Sequence, residues 1–262
     1  TNRMGYKGGG PSVLAVSPDG RWLYIHSLDT HGTFTNAELE MPYWLQIVDT
    51  RTGTVLPDII RISTGSYCSD PTLITPPSGA ELYLACSDIL VLNSQNQRIT
   101  QKIPVTGAGA AISPDGRWLY VISSNLHIDI VDLQKHAIVQ KVDQNSTNYY
   151  ANVFPGLVAL AADGNTLVTG QILEETPGTD TATTFRVFDT RTWQKIADFR
   201  FERPVVQYAL ALSADGSTIY IVARSRPDGP ADTIVELDSL SGQVRAEHAR
   251  PGEDIMRMFI TP

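Results

Sequence analysis

The octapeptide Ser17-Pro-Asp-Gly-Arg-Trp-Leu-Tyr24 returns without a change at Ser113 to Tyr120. Eight identical residues do not recur by chance in a chain of 262. The chain is therefore built from an internal repeat, and that limits the folds open to it more than any other feature. Looser copies stand at Pro76-Pro-Ser-Gly-Ala-Glu-Leu-Tyr83, Ala161-Ala-Asp-Gly-Asn-Thr-Leu-Val168 and Ser213-Ala-Asp-Gly-Ser-Thr-Ile-Tyr220. Their turn glycines, Gly20, Gly79, Gly116, Gly164 and Gly216, are 59, 37, 48 and 52 residues apart. Such a period fits a four-stranded propeller blade of about 40–50 residues, lengthened by insertions where the interval is wide.

The motif is turn chemistry between two strands. Pro18 presets φ, Asp19 can bond its own backbone, and Gly20 takes a positive φ without steric cost. Strands are predicted on either side, at Val13–Ser17 and Arg21–Ser27, then at Trp44–Asp49 and Val55–Ile62 across Thr50-Arg-Thr-Gly53. Two hairpins in series make a blade. Repeating this reading gives an all-β chain, a β-propeller of four-stranded antiparallel blades in one domain. The blades span about 12–63, 71–106, 109–143, 156–202 and 205–250. Residues 255–262 read as the first strand of a further blade, so the expectation is a fragment of a six- or seven-bladed ring. Asp49, Asn93, Asp132, Asp189 and Asp238 hold one place at the end of each third strand, where a short polar side chain opens the next turn. No long 3.6-residue apolar stripe is present.

Composition narrows the function classes. Hydrophobic residues at 42% against 18% charged suit a strand-rich globular chain. A net charge of −8 argues against nucleic acid or an anionic membrane as the main partner, since both need clustered Lys and Arg. No run of 18 apolar residues offers a membrane span. Thr1 to Gly10 has no signal-peptide core and reads as the start of a processed or trimmed chain. Cys68 and Cys86 are the only cysteines. Folding a hairpin about Ser78 brings them within one diagonal step, so a disulfide is expected, with two buried free thiols as the alternative. A disulfide implies an oxidising compartment: periplasm, cell surface or exterior. Two cysteines alone do not fill a zinc site.

The run Ser113-Pro-Asp-Gly-Arg-Trp-Leu-Tyr-Val121, with Ile-Val-Asp and with Ile103-Pro-Val-Thr-Gly107, resembles the YVTN-type β-propeller repeat family. The resemblance covers nearly the whole chain and rests on turn and core residues. It implies an extracytoplasmic surface or binding protein. Related propellers form lactonases and the large subunit of periplasmic quinone-cofactor amine dehydrogenases. Cys68 and Cys86, followed by Ser87-Asp88, are similar to one blade of that subunit, whose quinone sits on another chain. No cofactor is therefore expected on this one.

Blade topology puts the short first-to-second and third-to-fourth turns on one rim. Nearly all added length falls on the other, at Leu28–Tyr43, Ser63–Pro71, Asp143–Gly156, Leu173–Thr183 and Ser225–Asp232. Long loops on one rim of a rigid scaffold are a usual place for recognition. The candidate binding residues lie there: His31, Glu38 and Glu40; Tyr67 and Asp70; Asn148, Tyr149, Tyr150 and Phe154; Glu174 and Asp180 with Arg224 and Arg226. The first group could suggest acid–base or metal chemistry, but it matches no metal spacing and reads first as a solvated loop. The aromatic–amide run suits a protein or sugar contact, or packs on its own blade. His26 and His127 read as structural strand histidines, His136 and His248 as surface ones. No local Ser-His-Asp or Cys-His signature appears, and Gly8-Gly9-Gly10 is not followed by the Lys-Ser/Thr of a phosphate loop. The expectation is a non-catalytic extracytoplasmic scaffold or recognition subunit whose partners are other proteins. The alternative is an enzyme component, lactonase-like or dehydrogenase-associated.

Overall fold

The computed structural model describes residues 11–28, 43–57, 60–62, 72–85, 88–94, 96, 98–105, 107–123, 127–144, 157–176, 179–224 and 233–250. All regular structure among them is strand. The strands form five consecutive antiparallel meanders, each with the topology of a propeller blade. The chain comprises two compact units, Thr1–Ala108 and Gly109–Pro262.

The first unit holds two blades. Blade 1 is β1 (Pro11–Val16), β2 (Trp22–Leu28), β3 (Tyr43–Asp49), β4 (Thr54–Val55) and β5 (Ile60–Ile62). Its outermost position was expected to be one strand over Val55–Ile62. Instead β4 and β5 each pair with a different end of β3. Pro57 lies in the gap and has no N–H to give to a ladder, so the outer strand breaks there. Blade 2 is β6 (Thr72–Ile74), β7 (Glu81–Ala85), β8 (Ile89–Asn93) and β9 (Ile99–Ile103). Strands β7 and β8 are buried along nearly their full length while β9 is exposed. This follows from sandwiching: the middle strands are covered on both faces and the outer strand meets water. Tyr24, Leu45 and Ile47 of blade 1 pack with Leu73, Leu82, Leu84, Leu90 and Leu92 of blade 2. Thr75 Oγ1 donates to the Val16 carbonyl at 2.9 Å, tying the inner strands together.

The second unit holds three. Blade 3 is β10 (Gly107–Ile112), β11 (Trp118–Ser123), β12 (His127–Asp132) and β13 (Ala137–Asp143). Blade 4 is β14 (Val158–Leu160), β15 (Thr166–Thr176), β16 (Thr179–Asp189) and β17 (Gln194–Phe201). Blade 5 is β18 (Val205–Leu212), β19 (Thr218–Ala223), β20 (Thr233–Asp238) and β21 (Val244–Ala249). Tyr120, Ile122, Ile128 and Ile130 of blade 3 meet Leu167 and Phe188 of blade 4. From the opposite face of blade 4, Val168, Ile172, Phe185 and Val187 meet Leu210, Ile219, Ile221 and Val235 of blade 5.

The repeated octapeptide folds the same way twice. Ser17 Oγ donates to Asp19 Oδ1 at 2.6 Å and accepts from the Trp22 amide at 2.8 Å. Ser113, Asp115 and Trp118 repeat this at 2.5 and 2.8 Å. The end-of-strand carboxylates also do what their position predicts. Asp49 accepts from the Arg51 amide, Asp132 from Gln134, Asp189 from Arg191 and Asp238 from Ser241, all at 2.8–3.0 Å. Asn93 serves Asn96 in the same way at 3.0 Å.

Candidate functional site

Blade 4 departs from the repeat. Its two middle strands run to 11 residues each, against 5 to 7 among the described residues for the same strands of the other blades. The segment Leu173–Thr183, expected as a loop, is a continuation of this hairpin, paired from Leu173↔Ala182 to Thr176↔Thr179. Glu174 and Asp180 therefore stand opposite each other on strands. Among the described residues the flanking strands do not follow. β14 pairs with β15 only as far as Val158↔Thr169, and β17 reaches β16 only to Thr183↔Phe201. The hairpin thus runs past its own sheet on the rim of the second-to-third connections. Register shifts on both sides of Glu174 bend it.

A buried polar layer lies beneath. Thr169 and Arg186 are register partners, on the face that carries Leu167 and Phe188 toward blade 3. Thr169 Oγ1 donates to Gln144 Oε1 at 2.8 Å, where Gln144 follows the last strand of blade 3. Arg186 Nη1 donates to Gln171 Oε1 at 2.9 Å. Arg186 is 7% exposed. Its Nε lies 3.8 Å from Asp198 Oδ2, which also receives Lys195 Nζ at 2.5 Å. Burial pulls the Arg186 pKa down and the Asp198 charge opposes that pull. Gln144 Nε2, Arg186 Nε and Thr183 Oγ1 are buried without a hydrogen-bond partner. The layer holds amides, a hydroxyl and a guanidinium, groups that orient rather than attack. Among the described residues no three His, Cys, Asp or Glu side chains gather to hold a metal ion.

This layer has a signal in the sequence that composition conceals. Arg186 stands three residues before the closing Asp of its third strand. The same place is Gln46, Leu90, Asp129 and Val235 in the other blades. A charge there interrupts an apolar strand. Asp129 is equally buried, and Lys141 of the adjacent outer strand reaches it at 3.2 Å.

Other expected site residues divide as follows. His31, Glu38, Glu40, Tyr67, Asp70, Asn148, Tyr149, Tyr150, Phe154 and Arg226 lie outside the described residues, as do Cys68 and Cys86. Arg224 follows β19, half-buried, its amide donating to the Pro204 carbonyl at 3.0 Å. His26 is buried, and His248 is exposed with Nε2 2.9 Å from Glu236 Oε1. Among the described residues no helix is long and apolar enough to cross a membrane.

No family model matches the sequence, and no curated protein does. Solved structures match in number, 1251 chains in all. One is hydrazine synthase of Kuenenia stuttgartiensis, at TM-score 0.65 and 21% identity, covering 95% of this chain and 70% of that one. At that identity the likeness is one of fold.

Proposed function

We propose that the chain is a recognition subunit, an extracytoplasmic propeller whose elaborated rim meets another protein of a larger assembly. The hairpin of blade 4 carries this reading. Among the described residues it is the one hairpin that extends past its flanking strands, and residues on such an extension contribute little to the blade they leave. The partly satisfied layer of Gln144, Thr169, Gln171 and Arg186 anchors the base of the hairpin where blade 3 meets blade 4. The YVTN-type resemblance and the expected Cys68–Cys86 bond support an oxidising location.

The test is to cross-link the protein in its native cells and isolate it with any partner. Parent and a variant with residues 174–180 replaced by Asn-Gly are compared by size and by mass. A stoichiometric complex formed by the parent and lost in the variant is expected. A parent that runs alone, or that turns over lactones or amines by itself, overturns the reading. Intact mass with and without reductant tests the disulfide. A mass that rises by two hydrogens on reduction supports the oxidising compartment.

A further inference from the structure

We propose that a groove in the first unit is a binding site for a monocarboxylate carried on an apolar body. The groove has a volume of about 750 Å³ and runs between the first turn of blade 1 and that of blade 2. Pro18, Trp22 and Pro77 supply apolar walls, and Arg21, Asp19 and Ser94 supply the polar groups. It is formed by the short first-to-second turns of these two blades.

Arg21 selects the ligand. Its guanidinium lies over the Trp22 ring, 4.4 Å from the centroid, and its Nε reaches Asp49 Oδ2 at 3.4 Å. These contacts use its flat face and Nε, leaving the two Nη groups without a protein acceptor among the described residues. A stacked guanidinium has given up much of its freedom before a ligand arrives, and its fork matches a carboxylate with two parallel hydrogen bonds. The surroundings disfavour a doubly charged anion. Asp19 is held ionised, its carboxyl well below the usual range because Ser17 Oγ and the Arg21 amide donate to it. With Asp49 it sets two carboxylates against the guanidiniums of Arg21 and Arg51, both of which act on Asp19. A doubly charged phosphate meets repulsion there that a single carboxylate meets only in part.

The duplicated octapeptide supplies an internal control. Arg117 lies over Trp118 at 4.6 Å, as Arg21 does over Trp22. Its neighbouring turn stands closer, however. A methyl group on Gly164 would come within 2.9 Å of Pro114 Cδ, whereas one on Gly79 would stand 3.5 Å from Pro18 Cδ. Both turns are tied down alike, Ser94 Oγ donating to the Gly79 carbonyl and Thr190 Oγ1 to the Gly164 carbonyl at 2.6 Å each, but blade 2 has Pro76-Pro77 where blade 4 has Ala161-Ala162. One octapeptide opens onto a groove, and its twin meets a closer turn.

Free carboxylic acids and peptide C-termini share this chemistry, so both are tested. Titration calorimetry would use hexanoate, an acetylated Ala-Val-Leu peptide with a free C-terminus, and the amides of both. Saturation by at least one carboxylate below about 10 mM, with its amide about tenfold weaker or worse, is expected. Hexanoate binding identifies a small-acid site, and binding of the peptide alone a C-terminus site. Arg21→Ala and the groove-filling Ser78→Tyr should each weaken binding about tenfold or more, with Arg117→Ala unchanged. Thermal unfolding of each variant confirms that it is folded, and Ser78→Tyr leaves Arg21 in place if Arg21→Ala is not. Absence of saturation by either carboxylate, equal affinity for the amides, or equal loss in Arg117→Ala overturns the proposal.

Discussion

Trp193 stands edge-on to Tyr120 where blade 4 packs against blade 3, with ring centroids 5.1 Å apart and planes at 68°. It does so from a backbone with φ of +58°, in the turn position that blades 1 and 5 give to Gly53 and Gly242. The left-handed conformation costs a side-chain-bearing residue about 1 kcal/mol. Here the indole repays it through an aromatic contact worth roughly 0.5–1.5 kcal/mol beyond the area it covers. Both Trp193→Ala and Trp193→Gly should lower stability by losing that contact. The glycine variant should be the more stable of the two by about 1 kcal/mol, because only alanine keeps the strain. Urea unfolding of the pair measures the difference, and equal midpoints would show that the backbone at this turn is unstrained.

The same turn offers a comparison between the first blade and the fifth. Gly53 has φ of +68° and open space where a Cβ would go. Gly242 has φ of +71°, and its Cβ would fall 2.3 Å from Cδ2 of Phe199, on the neighbouring blade. Gly53→Ala should therefore cost only the conformational penalty, about 1 kcal/mol. Gly242→Ala adds a collision with a ring of the blade 4–5 core, for a total of roughly 2–4 kcal/mol. Denaturant midpoints decide this. Equal losses would mean that Phe199 gives way freely.

Most of this architecture can be read from the chain, for a physical reason. The repeat is written in turn residues, and Ser-Pro-Asp-Gly commits its backbone locally, before any tertiary contact forms. The middle strands follow because residues such as Leu82–Ala85 and Ile89–Leu92 are apolar on both faces. What escapes is whatever depends on a neighbour. Trp193 and His136 adopt positive φ with nothing local to announce it. The hairpin of blade 4 hides behind Glu174, Glu175 and Asp180, whose charge reads as loop, although Pro177-Gly178 is a tight-turn dipeptide. Arg186 escapes because burial of a charge is decided by the blade packed against it.

Acid should weaken the fold through its turns. Asp189 and Asp215 are held down to about 2, Asp189 first by Arg191 and Asp215 first by the Ser213 hydroxyl. Asp238 is lowered further by the Ser241 amide and hydroxyl and by Arg245. Asp115, nearly as exposed, is lowered chiefly by Ser113. In each case the folded value lies below the ordinary aspartate value of 3.8. The unfolded chain then takes up protons first as pH falls. Their stabilisation is complete above about pH 4 and is lost on descent toward about pH 2. Thermal midpoints should fall across that window, and Asp215→Asn or Asp238→Asn should flatten the fall. An unchanged slope in both variants would show that these turns do not govern it.

The layer at blade 4 tests whether its polarity serves stability. Arg186→Met alone removes the donor to Gln171 Oε1 and leaves Asp198 without its buried partner, so it should cost about 1–3 kcal/mol. Gln171→Leu alone takes away the acceptor of Arg186 Nη1 and should cost a similar amount, since the guanidinium stays buried. The double variant Arg186→Met with Gln171→Leu removes both sides and extends the apolar contact of Leu167 and Phe188 with blade 3. It should match or exceed the parent, as replacement of a buried polar group with hydrophobic residues often does. Chemical denaturation of the four proteins gives the coupling directly. Recovery in the double variant means that stability alone does not call for the pair, and its use must lie with the hairpin above it. Additive losses mean that the layer holds blades 3 and 4 together.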